Sequence, residues 1–205
     1  MKRIVMMALL ALALPAAAFA GSVDFGNTGG TLAGSSAGLT LSGSNLTSVI
    51  GLGLGTCSTA VPCGSVAFTT GSLISGNLTT GATFSSSGST FQITGNGTDG
   101  LPAVIFNGTF TGNVTWVENT NCGTDGSICY TLYGSISGTW YNGTTVNGAT
   151  VQLTFNAGKN GFTGSVPLAS GDTVITTTVP EPGTLGLLGT GLVGLAGVIR
   201  KKFRA

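Results

Sequence analysis

Ile128 to Tyr141 reads ICYTLYGSISGTWY, and its alternation decides the fold. Ile128, Tyr130, Leu132, Gly134, Ile136, Gly138 and Trp140 fall on one face of an extended chain. Cys129, Thr131, Tyr133, Ser135, Ser137, Thr139 and Tyr141 fall on the other. Large apolar groups at every second position are what a half-buried strand needs, and no stripe at helical spacing competes. The same period recurs outward at Val104 and Phe106, Val114 and Trp116, Phe91 and Ile93, Val66 and Phe68, and Val151, Leu153 and Phe155. Threonine is plentiful at the alternate positions, where its β-branch suits a pleated, half-exposed surface. Asn107-Gly108, Asn142-Gly143, Asn147-Gly148 and Asp99-Gly100 read as the turns between strands. Many short strands so punctuated predict an all-β fold, an antiparallel β-sandwich of jelly-roll type, with a β-roll or β-solenoid as the alternative. Residues 113–119 and 128–141 are expected to form a hairpin. The Gly-x-aromatic triplets recur without a fixed period, which weakens the solenoid, and the alternating glycines of Gly51 to Gly55 read as a loop.

Both ends of the 205-residue chain differ in kind from this body. Lys2 and Arg3, the apolar run Ile4 to Pro15 and the small-x-small triplet Ala18-Phe19-Ala20 make a secretory signal peptide over residues 1–20, cut after Ala20. At the other end an uncharged run, residues 183–199, is followed by Arg200, Lys201, Lys202 and Arg204. At the helical rise its length is roughly 25 Å, near the lower limit for crossing a bilayer core. The basic residues would stay cytoplasmic and place residue 179 and everything before it outside. The expected organisation is therefore a signal helix, a secreted β domain over residues 21–178 and a C-terminal tail, residues 179–205, containing a transmembrane helix.

Val179-Pro180-Glu181-Pro182, then the Gly/Leu-rich run, then the basic cluster resembles the PEP-CTERM sorting signal of Gram-negative bacteria. Pro180, Glu181 and Pro182 carry the motif, and the two prolines favour an extended, accessible segment. The resemblance covers only the tail. It implies processing by exosortase, an integral-membrane cysteine protease that cleaves near Pro-Glu-Pro, after signal peptidase and the export machinery have acted. It implies a transient inner-membrane anchor, then release to the cell envelope or to an extracellular polysaccharide matrix. The family also associates charge-poor, Ser/Thr-rich bodies with glycosylation and exopolysaccharide. Here Asn45, Asn77, Asn96, Asn107, Asn113 and Asn142 lie in N-x-[ST] sequences, which abundant Asn and Thr explain as well.

Charge narrows the chemistry of the body. Lys159 is the basic residue between the two ends, against Asp24, Asp99, Glu118, Asp125 and Asp172, so one positive and five negative charges leave a net of −4. A body with that balance has no footprint for a phosphate backbone, which excludes nucleic acid as a partner. Four cysteines in an exported chain suggest disulfides, and of three pairings Cys57–Cys63 and Cys122–Cys129 are the natural choice, since each brackets a short turn-rich stretch. A metal site is disfavoured, because neither pair is C-x-x-C and the chain has no histidine.

Two motif matches are expected by chance in so glycine-rich a chain. Gly34-Ser35-Ser36-Ala37-Gly38 fits G-x-S-x-G but has neither a following helix nor a histidine base. Gly95-Asn96-Gly97-Thr98-Asp99-Gly100 fits G-x-G-x-x-G, yet Pro102 and another strand follow where a helix should begin. Glu118 with Asp99 or Asp125 is the remaining acid–base pairing, and the two aspartates have a sufficient reason to exist in Thr-Asp-Gly turns. No catalytic residue and no cofactor is assigned. A non-catalytic protein sorted to the envelope or matrix is the first functional expectation, and a carbohydrate-binding or adhesive module is the alternative. For the latter Tyr133 and Tyr141 are the candidate sugar contacts. The sandwich reading expects both to be covered by the second layer; exposed, they would support the binding module.

Overall fold

The structure, a computed structural model, describes residues 21–55, 57, 62–119 and 126–177. Among them are twelve strands: β1 (Ser22–Thr28), β2 (Thr31–Ser35), β3 (Gly38–Ile50), β4 (Gly64–Thr69), β5 (Leu73–Asn77), β6 (Gly81–Phe84), β7 (Thr90–Gly95), β8 (Val104–Asn119), β9 (Cys129–Trp140), β10 (Thr145–Asn156), β11 (Ser165–Pro167) and β12 (Ser170–Thr176). The order β1-β12-β10-β9-β8-β7-β4-β3 is antiparallel throughout, and β3 pairs back onto β1. Eight strands thus close into a barrel. β2 and β11 extend from the first half of β3, and the β5–β6 hairpin extends from the second half of β8.

The all-β, antiparallel expectation holds, but the pairing describes one sheet closed on itself, and a two-layer jelly roll is not what it shows. The reason lies in the long strands. β3 runs beside β2 as far as Ser42 and beside β1 from Asn45, bulging at Gly43 with φ 68°. β8 likewise leaves β7 after Gly108 and joins β6 from Gly81↔Val117 to Phe84↔Val114, bulging around Gly112 with φ 80°. A bulge bends and twists its strand, which lets one strand serve two neighbours around a corner. Asn147-Gly148 marks another such bulge, inside β10, and Asn107-Gly108 sits in the β8–β9 ladder opposite Thr139 and Gly138. Neither is the turn expected of it. Asn142-Gly143 and Asp99-Gly100 do lie in the β9–β10 and β7–β8 connections, with Gly143, Asp99 and Gly100 all at positive φ.

The β8–β9 hairpin forms in the register Phe106↔Trp140 to Asn119↔Cys129. Tyr130, Leu132, Ile136 and Trp140 are buried, and they meet Phe25, Phe68, Phe91, Phe106, Phe110 and Phe155 in the barrel interior. Two inward positions on β9 are glycine because rings occupy their space. A Cβ on Gly134 would fall 2.9 Å from Phe110 Cδ1, and one on Gly138 would fall 2.7 Å from Phe106 Cζ. Trp116 and Tyr130 stack with centroids 4.6 Å apart. Their polar ends are satisfied: Trp116 Nε1 donates to Leu78 O at 3.0 Å, and Tyr130 OH donates to Thr79 O at 3.1 Å while accepting from Phe162 N at 3.0 Å. The β5–β6 turn is pinned to the wall by these bonds.

Cys57 and Cys63 are joined, as the spacing suggests. Cys129 is also disulfide-bonded; Cys122 lies outside the described residues, as does Asp125. So do the expected signal helix and its expected cleavage site at Ala18 and Ala20, Pro180, Glu181, Pro182, the expected C-terminal span and the basic cluster. Among the described residues no helix is long and apolar enough to cross a membrane.

Candidate functional site

The outer wall of the barrel is where the sequence alternation leaves its polar half. Across it the register sets Thr115, Tyr133, Gln152, Val174 and Asp24 in one row over β8, β9, β10, β12 and β1. Tyr133 is 45% exposed, so the second layer expected to cover it is absent from this face. Its ring borders a shallow depression of about 150 Å³ lined also by Thr150, Gln152, Val174 and Thr176. An aromatic ring beside an amide and two hydroxyls can cover the apolar face of a pyranose while neighbouring polar groups bond its hydroxyls. Tyr141 is exposed too, at 41%, but it stands eight residues further along the β9 alternation. At the strand rise that is about 26 Å, so the two tyrosines are separate features and not one platform.

The carboxylates considered from the sequence do not converge. Asp99 occupies the connection between β7 and β8, whereas Glu118 lies near the far end of β8 opposite Tyr130. The structure instead brings Asp24 of β1 and Asp172 of β12 together on the outer wall, where Gly26↔Asp172 and Asp24↔Val174 make them diagonal neighbours. Partial loss of solvent, then a hydrogen bond and repulsion from Asp24, push the Asp172 carboxyl up from 3.8 to about 6. Two carboxyl groups in mutual hydrogen bond leave no gap for a glycosidic linkage between them, so this pair does not have glycosidase geometry. Nothing in the sequence marked it, because the partners come from opposite ends of the body. Among the described residues no group of three or more His, Cys, Asp or Glu side chains is placed to hold a metal ion.

The asparagines of the N-x-[ST] sequences are all exposed. Three of them have local work: Asn77 Oδ1 accepts from Thr79 N and Thr80 N, Asn96 Oδ1 from Thr98 N, and Asn142 Oδ1 from Thr144 N. Turn capping of this kind accounts for Asn followed by Thr two positions on at these three sites, whereas Asn45, Asn107 and Asn113 lie within strands.

A wall rich in hydroxyl and amide groups fits an exported protein whose tail directs it. The tail makes the class definite: residues 178–201 match the family model for the PEP-CTERM protein-sorting motif. The chain is an exported substrate of an exosortase, destined for the cell envelope or the extracellular space. Neither a curated protein nor a solved structure matches the chain.

Proposed function

We propose that the processed barrel is a surface module that holds neutral polysaccharide in the envelope or extracellular matrix, with Tyr133 as its contact. The exposure of Tyr133 beside Gln152, Thr150 and Thr176 is the observation that carries this reading. Charge selects the polymer. Asp24 and Asp172 flank the same wall, and Lys159 lies beyond β10, so an acidic chain meets repulsion without compensation. In this reading residues 1–20 leave after Ala20, residues 183–199 anchor the chain transiently in the inner membrane with Arg200, Lys201, Lys202 and Arg204 on the cytoplasmic side, and exosortase acts near Pro180, Glu181 and Pro182.

Binding of the mature protein to a neutral glucan and to the producing cell's own exopolysaccharide, measured by calorimetry, tests the module. Tyr133→Ala is expected to weaken it about tenfold, equivalent to about 1.4 kcal/mol, with Tyr141→Ala close to unchanged. Equal binding by all three proteins would leave only the passive matrix role. Mass spectrometry of the mature chain tests the tail: its mass should end near residue 182, and an intact tail in cells with active exosortase would refute the anchor-and-release reading.

A further inference from the structure

The first and last described residues of the barrel lie at one rim. Ser22 pairs with Thr176, and Thr177 N donates to Gly21 O at 3.1 Å. The same rim carries the end of β3, the start of β8 and the end of β9. Three of the six large exposed apolar side chains among the described residues lie at this end of their strands: Ile50 at 61%, Val104 at 43% and Tyr141 at 41%. The backbone ties them to that place. Asp24 pairs with Ile50, a Cβ on Gly51 would meet Ser22 O, and Tyr141 N donates to Ile105 O at 2.9 Å. Gly51 to Gly55 follow Ile50 at this rim, with Leu52 and Leu54 between the glycines half-buried against the core. The charged groups at this rim among the described residues are Asp24 and Asp99. Exposed apolar groups clustered on one end of a monomer mark a surface with a partner.

We infer that this rim is the membrane-facing end of the protein while its tail is attached, with Ile50, Val104, Tyr141 and the Leu52–Leu54 loop set against the lipid headgroup layer. The length of the tether names the occupant. From Thr177 to Gly183, where the uncharged run begins, there are six steps of chain, which reach about 20 Å when fully extended. A rim so tethered stays within that distance of the hydrocarbon boundary, and the headgroup layer occupies part of the gap. Tyrosine and aliphatic side chains suit such an interface, the ring sitting at headgroup level with its hydroxyl in water. With two carboxylates and no cation at the rim among the described residues, the attraction is apolar and does not depend on anionic lipid. Release of the tail removes the tether, and the same weak apolar contact no longer suffices to hold the barrel.

The inference rests on the reading of residues 183–199 as an anchor, and the test separates the two. The full chain is placed in phosphatidylcholine–phosphatidylethanolamine vesicles with brominated acyl chains, carrying Tyr141→Trp or, as a control on β5 at a more exposed position, Ile74→Trp. Flotation with the vesicles reports the anchor. Quenching of the added tryptophan, relative to the unaltered chain, reports the rim. The expected result is loss of at least half the added emission for Tyr141→Trp and no loss for Ile74→Trp. Hydrogen exchange of the unaltered chain should show slowing at residues 50–55 and 141–144 on vesicles alone. Flotation with equal quenching of both variants, or none, overturns the inference and leaves the anchor standing. Failure to float refutes the anchor and the inference with it. Shielding of Tyr141→Trp without vesicles, rising with protein concentration, would assign the rim to a second copy and also overturn it.

Discussion

Thr173 is wholly buried on the inward face of β12, and its hydroxyl has no hydrogen-bond partner; the Oδ1 of nearby Asn27 is in the same state. An unsatisfied buried hydroxyl costs about 1–3 kcal/mol, so the near-isosteric Thr173→Val should raise the denaturation midpoint. A fall instead would mean that a bridging water satisfies the group. On the outer face, Asp172 sets a pH dependence whose sign follows from its raised pKa. A carboxyl that holds its proton more tightly when folded contributes stability that is complete below the unfolded value of 3.8 and is lost as pH rises through about 6. Thermal unfolding measured from pH 3.5 to 8 should show the melting temperature falling across that window, and Asp24→Asn should flatten the fall. An unchanged slope in Asp24→Asn would refute the pairing. Neither residue announces itself in the sequence. Asp172 looks like a solvated strand residue, and Thr173 looks like any threonine on a β surface, until the register sets them beside β1.

At the scale of the strand, alternation in Ile128 to Tyr141 was legible because its pattern is local: side chains of an extended chain must alternate wherever the strand lies. The glycines in it were legible as inward but not as necessary. Gly138 faces Gly108 across the ladder, and a Cβ there would fall 2.6 Å from Gly108 Cα as well as into Phe106. Backbone cannot yield as a side chain can, so Gly138→Ala should destabilise by about 1–3 kcal/mol in urea unfolding. Tyr130→Phe tests the anchoring of the β5–β6 turn. It removes the acceptor for Phe162 N and the donor to Thr79 O inside the protein, at an expected cost of about 1–3 kcal/mol. Faster exchange of the amides around residues 78–80 should accompany that loss. The Asn-Gly pairs show where strand-level reading failed. The dipeptide permits a turn, a bulge or a plain ladder position, and the partner strand decides which.

For the whole molecule the consequential pairing is β12 between β1 and β10. The last strand of the body completes the barrel by joining the first, so the fold cannot close until residue 176 is available. A chain ending at residue 169 would leave two long edges unpaired and should aggregate or be digested, whereas one ending at residue 178 should remain monomeric and protease-resistant. Size exclusion with limited proteolysis distinguishes them, and a folded 169-residue chain would refute the account. The sequence by itself determined the all-β class, the β8–β9 hairpin, the Cys57–Cys63 bond and the sorting tail. All rest on local spacing or on a linear motif, which survive without knowledge of long-range partners. Tertiary structure alone decided that the sheet closes into a barrel, that Tyr133 and Tyr141 face solvent, that Asp24 meets Asp172, and that Gly21 and Thr177 share one rim. Each of these depends on which strand lies beside which. Antiparallel pairing is carried by backbone groups that every residue possesses, so residue type leaves that choice open until the bulges and the packed interior fix it.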